Sequence, residues 1–517
     1  MLNSHISPQI LRALIASRRL TLQTELLSGP VPIIGFQRNI FCFLTSNISA
    51  FCADKVFPVE LYCDDMPLCT IDLIWCGTQH RNNNGEVFAG FASDDARREF
   101  WQVLQALRDP RIHNTDGPGP IPRLPGRGQY SEDARQQRLM FLREHTGAKL
   151  DVIEKSCFEA EKLSHNIESF IGSIEIPIGV AGPLQVNFPE GAELVYAPFA
   201  TTEGALVASA TRGAAALTRA GGANVVALEQ RIMRVPVFEF DSLKDALFFA
   251  DWIEAHYEPI RDKTREVSRR AELRYVKPEL FGRNVILHFV YSSGDAAGQN
   301  MTTTTTWHAC NWIRAQFAHP PGPVIRNFMI DVNSSDKRVS YQSLIHGRGT
   351  RVIVECLLPA EVVRQVLKVE PKQLLWGYRN FAATNSAAGA VGININIANA
   401  IAAIFAATGQ DMACVHESSL GLLQLHSAEN DAIYASLMLP GLLVGTVGGG
   451  TGLAPQRQGL ELIGCAGNGK SARLAQIIGA FCLGLDLSTL SAVAAGHFAD
   501  AHERMGRNRP DEATGAA

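Results

Sequence analysis

The sequence contains no C-x-x-C pair, although 11 of its 517 residues are cysteines. Five of them crowd the N-terminal part, and their spacing matches no zinc-binding pattern: Cys42, Cys52, Cys63, Cys69 and Cys76. We therefore expect buried or free thiols in a reducing compartment and no metal site.

An excess of charge of one sign is also lacking, because 47 Lys and Arg are balanced by 51 Asp and Glu, for a formal net charge of −4. A protein that binds nucleic acid needs a basic face, and this composition argues against one. The first residues, MLNSHISPQILRALIASRRL, contain no uncharged apolar segment after a basic start. A signal peptide is therefore not expected, and we predict a cytoplasmic location.

One long stretch, residues 380–410, lacks charged residues altogether. Its length would allow it to span a bilayer. It also carries five asparagines, whose amides are costly in lipid: Asn380, Asn385, Asn394, Asn396 and Asn399. The composition therefore favours a deeply buried helix with functional amides over a membrane span.

Shifts in composition predict several domains, and we find no internal repeat. The predicted fold class is α+β, with a large domain of helices and strands built around a long buried helix, a small inserted ferredoxin-like α/β domain, and a separate β-rich N-terminal domain. The predicted boundaries are 1–112 for the β-rich domain, 113–129 for a Gly- and Pro-rich linker, 130–235 and 329–505 for the large domain, 236–328 for the inserted domain, and 506–517 for a disordered tail.

The stretch GCAGNGKS, from Gly464 to Ser471, fits the P-loop pattern at every fixed position. A working P-loop follows a buried strand and needs several parallel strands after its helix. The preceding PQRQGLELIGC is too polar for a central strand, and too little chain follows. We interpret the match as a chance glycine-rich turn at a helix start, and a P-loop nucleotide hydrolase is the minor alternative.

Four acid–base residues lie among small, uncharged residues: Glu203 in TTEGALVAS, Lys337 in SSDKRVS, Asp411 in TGQDMAC and His497 in VAAGHFAD. Each has an ordinary structural interpretation as a helix-start, loop or helix-end residue. Their shared surroundings instead predict partial desolvation. Desolvation and mutual charge shift pKa values, as acid–base catalysis requires.

Seven motifs occur in a suggestive order: IPIGVAGPL, TTEGALVAS, SGDAAGQNM, DKR, NIANAIAAIFAATGQD, VGTVGGGTGL and AVAAGH. Together they resemble the 3-hydroxy-3-methylglutaryl-coenzyme A (HMG-CoA) reductases over residues 130–505, and TTEG resembles the class I branch. The resemblance implies an oxidoreductase of the mevalonate pathway. Such an enzyme reduces HMG-CoA to mevalonate and free coenzyme A in two hydride transfers from NADPH, or from NADH.

The resemblance also implies a role for each acid–base residue in the large, catalytic domain. Lys337 stabilises the negative charge on the carbonyl oxygen. Glu203 protonates the developing alkoxide, and Asp411 bridges the two and tunes their pKa values. His497 protonates the departing thiolate.

Binding residues are implied in the same way. The substrate residues are Arg234, Arg338 and Arg379 for the free carboxylate, Asn399 as an amide, and Ser209 and Thr211 along coenzyme A. The cofactor residues are Asp295, Gly298, Asn300 and Met301 in one loop and Gly448, Gly449 and Gly450 in another. Lys470 and the N–H groups at its helix start are candidates for contact with a coenzyme A phosphate.

Several positions depart from the family's pattern. Ser292 replaces an arginine that contacts the cofactor in the family, which leaves the choice between NADPH and NADH open. Ala297 and Gln299 replace two methionines of the cofactor loop. Polar or histidine positions near the substrate are occupied by Ile330, Val332 and Asn396. These last three support an alternative, a reductase or binder of a different acyl-CoA.

Two further resemblances concern assembly and the N-terminal region. ESFIG, residues 168–172, is similar to the family's dimer motif, which implies a homodimer or a tetramer of two dimers. Residues 1–130 show no counterpart of the family's membrane anchor. The strand-like segments within 1–112 faintly resemble a PilZ domain, with Asp72 and Gly77 in place but Ile74 at the serine position. We favour a degenerate barrel used for packing over a sensor of cyclic di-GMP.

Overall fold

The computed structural model describes residues 20–23, 31–37, 40–45, 56–63, 66–81, 84–93, 96, 100, 123–318, 322–332 and 336–496. His497, the predicted tail and residues 113–122 of the predicted linker lie outside this described part. The chain divides into two compact units, Met1–Leu124 and Pro125–Ala517. The predicted mixture of helices and strands is confirmed.

Antiparallel strands of the first unit form a closed barrel in the order β1-β2-β3-β6-β5-β4. They are β1 (Leu20–Gln23), β2 (Val31–Gln37), β3 (Ile40–Thr45), β4 (Val56–Cys63), β5 (Met66–Arg81) and β6 (Asn84–Phe91). Alternate side chains point inward, so Val59 and Leu61 are buried while Glu60 between them is exposed. Asp72 also faces outward, between the buried Ile71 and Leu73.

The second unit is built on a sheet of ten strands within the described residues. They are β7 (Ile178–Phe188), β8 (Gly191–Ala200), β9 (Ala223–Arg234), β10 (Val237–Glu239), β11 (Glu272–Phe281), β12 (Asn284–Ser292), β13 (Asn327–Met329), β14 (Gly349–Leu358), β15 (Leu422–Ser427) and β16 (Ile433–Leu442). The long path runs β13-β10-β12-β9-β14-β16-β15, with β11 beside β12 and β7 pairing with β8 and β9.

Strand β9 connects the two ends of this sheet. Its first part, from Asn224 to Arg231, pairs with β14, and its last residues, Ile232 to Arg234, pair with β12. The strand therefore carries Arg234 to the border between the region of β10–β13 and the rest of the sheet.

Helices cover the sheet of the second unit. They are α1 (Glu132–Thr146), α2 (Asp151–Glu154), α3 (Leu206–Arg219), α4 (Leu243–Ala255), α5 (Tyr257–Val267), α6 (Gln299–Gln316), α7 (Tyr341–Ile345), α8 (Ala360–Val362), α9 (Pro371–Ala387), α10 (Ile397–Thr408), α11 (Val415–Ser418), α12 (Ala454–Leu462) and α13 (Ser471–Ala494). Local signals explain their ends, since the Ser131 and Ser242 side chains cap α1 and α4 and Gly147 ends α1 in the left-handed conformation.

Helix α13 is the long buried helix of this unit, and it packs against α3 and the sheet. Among the described residues it is the helix long and apolar enough to cross a membrane, but 89% of its apolar window is buried in the protein. Burial of that kind is typical of the central helix of a packed domain.

The uncharged stretch 380–410 is not one buried helix, so that prediction is wrong. It forms the end of α9 and all of α10, separated by a turn that contains Gly389 and Gly392 at positive φ. Helix α10 is largely buried, whereas residues 379, 380 and 387–390 are exposed. Glycine breaks a helical pattern, and two of them nearby explain the interruption.

Candidate active site

Two glycine-rich loops and the segment that carries Asp411 line one cavity of about 620 Å³. The loop before α6 and the first turn of that helix contribute Ala296 to Met301, and the loop after β16 contributes Val447 to Thr451. Of the predicted cofactor residues, those lining the cavity are Gly298, Asn300, Met301, Gly448, Gly449 and Gly450. The structure thus brings together two loops that are far apart in sequence.

The second loop exposes its backbone to the cavity. Gly448 and Gly449 have φ values of 77° and 55°, and a side chain added at either would meet open space rather than protein. Glycine adopts these angles at little cost and leaves the N–H and C=O groups accessible. A flat, polyphosphate-bearing ligand can therefore approach the main chain here.

Asp295 belongs to the first loop but is not among the residues that line the cavity. Its carboxylate accepts the backbone N–H groups of Gly469, Lys470 and Ser471, at 2.7, 3.1 and 3.1 Å, at the start of α13. Partial burial raises the pKa of this carboxyl, but the three N–H donors outweigh burial and hold the pKa below its ordinary value. Asp295 therefore anchors the first loop to the start of α13, and its contact with the cofactor stays a prediction.

The same contacts argue against a phosphate-binding role for the stretch that matches the P-loop pattern. These N–H groups at the start of α13 were predicted to contact a coenzyme A phosphate. They already donate to Asp295, so they are not free for that contact. The segment before the glycine-rich turn is helix α12, not a buried strand. The described residues therefore lack the strand-to-loop arrangement that a P-loop requires.

Asp411 is exposed and faces the cavity. One carboxylate oxygen accepts a hydrogen bond from the side-chain amide of Gln299 at 2.9 Å, and the other accepts one from the N–H of Ala413 at 3.0 Å. The second bond caps the 3₁₀ turn Met412–Cys414. Gln299 was identified in the sequence only as a departure from the family's methionine. In the structure it links the first glycine loop to Asp411.

Arg234 is buried, with 2% of its surface exposed. Its guanidinium donates to the Thr303 hydroxyl and to the carbonyls of Met233 and Gln299, at 2.7, 2.9 and 2.7 Å. These bonds tie the end of β9 to the first turn of α6. Binding of the substrate carboxylate by Arg234 stays a prediction, and only the N–H groups not used in these bonds are available for it.

Lys337 lies in a turn beside Asp331, with 3.4 Å between Nζ and Oδ2, and 35% of its side chain is exposed. Its neighbour Arg338 is exposed, while Asp336 on the other side is 5% exposed. The turn therefore presents Lys337 and Arg338 outward and anchors itself through Asp336.

Glu203 is exposed just before α3, and its carboxylate accepts the Asn399 amide at 2.6 Å. This contact joins a predicted site residue in the turn before α3 to one on α10. Arg379 is exposed on α9, where its Nε donates to the carbonyl of Leu375. Ser209 hydrogen-bonds to Ser488 on α13 at 2.9 Å, and Thr211 is half-buried two residues further along α3.

The sequence of this chain also matches known proteins. The sequence model for hydroxymethylglutaryl-coenzyme A reductase matches residues 134–507. The chain is 38% identical over 385 residues to the 3-hydroxy-3-methylglutaryl-coenzyme A reductase of Methanocaldococcus jannaschii, covering 73% of this chain and 94% of that protein. For the reductase of Aeropyrum pernix the identity is 39% over 387 residues, covering 74% and 91%. This chain belongs to the HMG-CoA reductase family.

A solved structure shares the reductase fold. The class II 3-hydroxy-3-methylglutaryl-CoA reductase of Streptococcus pneumoniae, bound to NADPH in open conformations, superposes with a TM-score of 0.51 at 19% identity. The superposition covers 78% of this chain and 97% of that one. At this level of identity the likeness concerns the fold.

Three of the four predicted acid–base residues of this reductase lie in the described part of the chain. In the described part, no hydrogen bond or ion pair joins Glu203, Lys337 and Asp411 to one another. Glu203 and Asp411 are exposed, so the predicted desolvation is wrong for these two residues in a single chain. His497 lies outside the described residues.

Several residues around the site were missed by sequence reasoning. Gln230 of β9 holds the first glycine loop by accepting the N–H groups of Ser293 and Gly294. A buried carboxylate on α13, Asp486, accepts the N–H groups of Ile395 and Asn396 before α10. Asp486 could have been found from the sequence, because it is a charged residue inside the apolar run of α13. No such signal marked Gln230.

Proposed function

We propose that this chain reduces HMG-CoA to mevalonate and free coenzyme A by two successive hydride transfers, with NADPH as the cofactor. The observation that carries the proposal is the single cavity lined by both glycine loops and by Asp411. It supports a nicotinamide cofactor held beside an acid–base residue. The NADPH named for the Streptococcus pneumoniae structure agrees with this choice.

The residues present fit a bound dinucleotide. Gly448 and Gly449 offer unshielded backbone, and Asn300 and Met301 line the same cavity. The cofactor would supply the hydride. The chain itself orients the ligands, excludes water and handles protons and charge.

Lys337 is proposed to stabilise the negative charge that develops on the carbonyl oxygen, because its ammonium is partly exposed and its ion pair with Asp331 is a long one, at 3.4 Å. Glu203 is proposed to donate the proton to that oxygen, held in place by Asn399. Asp411 is proposed to lie between them, and His497 to protonate the leaving thiolate. Arg234, Arg338, Arg379, Ser209 and Thr211 keep their predicted binding roles.

We propose that a second copy of the chain completes the site. Glu203 and Asp411 are exposed and unconnected, whereas charge stabilisation is strongest where water is excluded. Ile176, which lines the cavity, belongs to an exposed apolar stretch in which Ile174, Ile176 and Ile178 are 74, 41 and 57% exposed. Exposed apolar surface of this kind marks a protein interface. A homodimer, or a tetramer of two dimers, would bury it.

We further propose that residues 236–328 form a small ferredoxin-like cofactor domain inserted between 130–235 and 329–505. The strand order β13-β10-β12-β11 and the element order β-α-α-β-β-α-β support this. The barrel of the first unit is proposed as a packing module, and the location as cytoplasmic.

The alternative substrate loses its main support in the structure. Ile330 packs on the main core, and Val332 packs beside Met233 and Val235 and donates its N–H to the Val235 carbonyl at 3.0 Å. These side chains therefore contribute to packing, which weakens the case for a changed acyl pocket. Asn396 remains a difference beside the proposed site.

The direct test follows the absorbance of NADPH, and separately of NADH, with HMG-CoA added. Oxidation that depends on HMG-CoA is expected, and its absence with both cofactors would reject the proposal. A mixing test addresses the shared site. When inactive Glu203→Gln and Lys337→Ala proteins are mixed and allowed to exchange subunits, about a quarter of wild-type activity should return if the two groups come from different subunits. No recovery after verified exchange would place both groups in the same subunit.

A further inference from the structure

A buried ion cluster lies beneath the proposed site, centred on Arg348 in the turn before β14. The Nη1 atom of Arg348 donates to Glu417 Oε1 at 2.7 Å, and its Nε lies 3.9 Å from Asp336 Oδ2. The three side chains are 2, 9 and 4% exposed, for Arg348, Glu417 and Asp336 respectively. The proposed reaction gives none of the three a direct chemical role.

Burial of these charges needs an explanation. Removing an ion from water is costly, and a buried pair is often no more stabilising than well-packed apolar side chains. Desolvation raises the pKa of Asp336, while Arg348, the Met233 N–H group and Arg234 oppose that rise. A cluster of this kind is better explained by the geometry it enforces than by the stability it adds.

The cluster joins three segments that carry proposed site residues. Asp336 immediately precedes Lys337 and accepts the Met233 N–H at 2.7 Å, next to Arg234. Glu417 lies in α11, which follows the 3₁₀ turn that begins at Asp411. One guanidinium therefore contacts the supports of Lys337 and Asp411 at once.

The backbone of Arg348 is held rigidly. Gly349 has a φ of 103°, and a Cβ there would lie 2.3 Å from the carbonyl oxygen of Leu442 on β16. The turn is therefore packed directly against the neighbouring strand. The Arg348 side chain therefore starts from a fixed backbone position, against which the segments of Asp336 and Glu417 can be held.

The guanidinium also has unused capacity. Within the described residues, Nε and Nη2 of Arg348 donate no hydrogen bond, although both are buried. A shift of the Asp336 turn by about 1 Å would bring Oδ2 into hydrogen-bonding distance of Nε. The adjacent Lys337 would move with it.

We propose that Arg348 is a positioning residue for the reaction, which sets the turn of Lys337 against the segment of Asp411 through its contacts with Asp336 and Glu417. The proposal rests on the proposed reductase function. It predicts that weakening the cluster impairs the chemical steps more than it impairs the binding of either ligand.

The test replaces Glu417 by Gln, which keeps the shape of the side chain and removes its charge. Glu355→Gln is the matched control, because Glu355 is a half-buried carboxylate on β14 that accepts the Tyr434 hydroxyl away from the cluster. All rates are measured well below the Tm of each variant. For Glu417→Gln, kcat should fall about tenfold or more, while the KM for HMG-CoA and the Kd for NADPH change less than about threefold. For Glu355→Gln, kcat should stay within about twofold of wild type.

A purely structural role gives a different result. Glu417→Gln would then lower Tm but leave the kcat of the folded enzyme unchanged, and this would overturn the proposal. The double variant Glu417→Gln with Asp336→Asn gives a second test, because two residues that act through Arg348 should not have additive effects on kcat. Additive losses would also overturn it.

Hydrogen exchange separates this proposal from the proposed function. In Glu417→Gln, exchange should quicken across the cluster in residues 336–342 as well as in 411–418, with or without catalytic turnover. Faster exchange confined to 411–418 would contradict the linkage. An inactive wild-type protein with linked exchange would reject the reductase assignment and keep the mechanical coupling.

Discussion

Replacing Asp486 by Asn should change how the stability of this protein depends on pH. Asp486 lies in the middle of α13 with 0% of its surface exposed. Its two oxygens accept the N–H groups of Ile395 and Asn396, at 3.0 and 2.7 Å. Burial raises the pKa of this carboxyl from 3.8 to about 7, against the effect of the two donors.

The sign follows from proton binding. Between pH 4 and 7 the unfolded chain has released this proton while the folded chain still holds it, so the free energy of unfolding falls as pH rises. A difference of about three pKa units corresponds to about 4 kcal/mol between the extremes, since each unit is about 1.4 kcal/mol. From pH 5 to pH 8, the fall attributable to Asp486 should be about 3 kcal/mol.

Urea unfolding of both proteins at pH 5, 6, 7 and 8 measures this contribution. The amide that Asp486→Asn introduces does not titrate, and one backbone N–H loses its acceptor, which costs about 1–3 kcal/mol at every pH. The unfolding free energy of wild type minus that of Asp486→Asn should therefore fall by about 3 kcal/mol from pH 5 to pH 8 and level off above pH 7. A difference that does not vary with pH would show that this carboxyl titrates normally and would refute the reasoning.

Three further predictions concern the site. Glu203→Gln and Lys337→Ala should each abolish HMG-CoA-dependent NADPH oxidation and leave the circular dichroism spectrum and Tm close to wild type, because both residues are at least partly exposed; an active double variant would mean that other residues do the chemistry. Lys470→Ala should leave the KM for HMG-CoA unchanged within about twofold, because the N–H groups around it bind Asp295; a large rise in KM would restore the phosphate contact. Asp295→Ala should lower stability by about 1–2 kcal/mol at neutral pH, as loss of a helix cap does. Since the pKa of Asp295 is lowered, that deficit should shrink as pH falls through its folded pKa, and a deficit unchanged in acid would contradict the capping role.

Local patterns in the sequence were enough for much of the fold. The ordered motifs led to the two glycine loops, and the loops line one cavity. Strand-like segments within residues 1–112 indicated a β-rich first unit, where the structure has a barrel. These features depend on periodicity and on short runs of residues, which a sequence displays directly.

Long-range contacts account for what sequence reasoning missed. The family resemblance implied a cofactor contact for Asp295 and gave no sign of its hydrogen-bond partners, Gly469 to Ser471, which lie more than 170 residues away. Arg348 stands between two glycines, and nothing in that local sequence indicates its partners. They are Asp336, which precedes it, and Glu417, which follows it, in segments that the fold brings together. The acid–base residues were expected to be desolvated, and a single chain leaves Glu203 and Asp411 exposed.

The stoichiometry of the reaction tests the central claim most directly. Purified protein is incubated with HMG-CoA and limiting NADPH, and oxidised cofactor, free thiol and mevalonate are quantified in the same sample. The account predicts two cofactor molecules oxidised for each thiol released and each mevalonate formed. Oxidation of one cofactor per thiol with no mevalonate, or no oxidation with either NADPH or NADH, would contradict it.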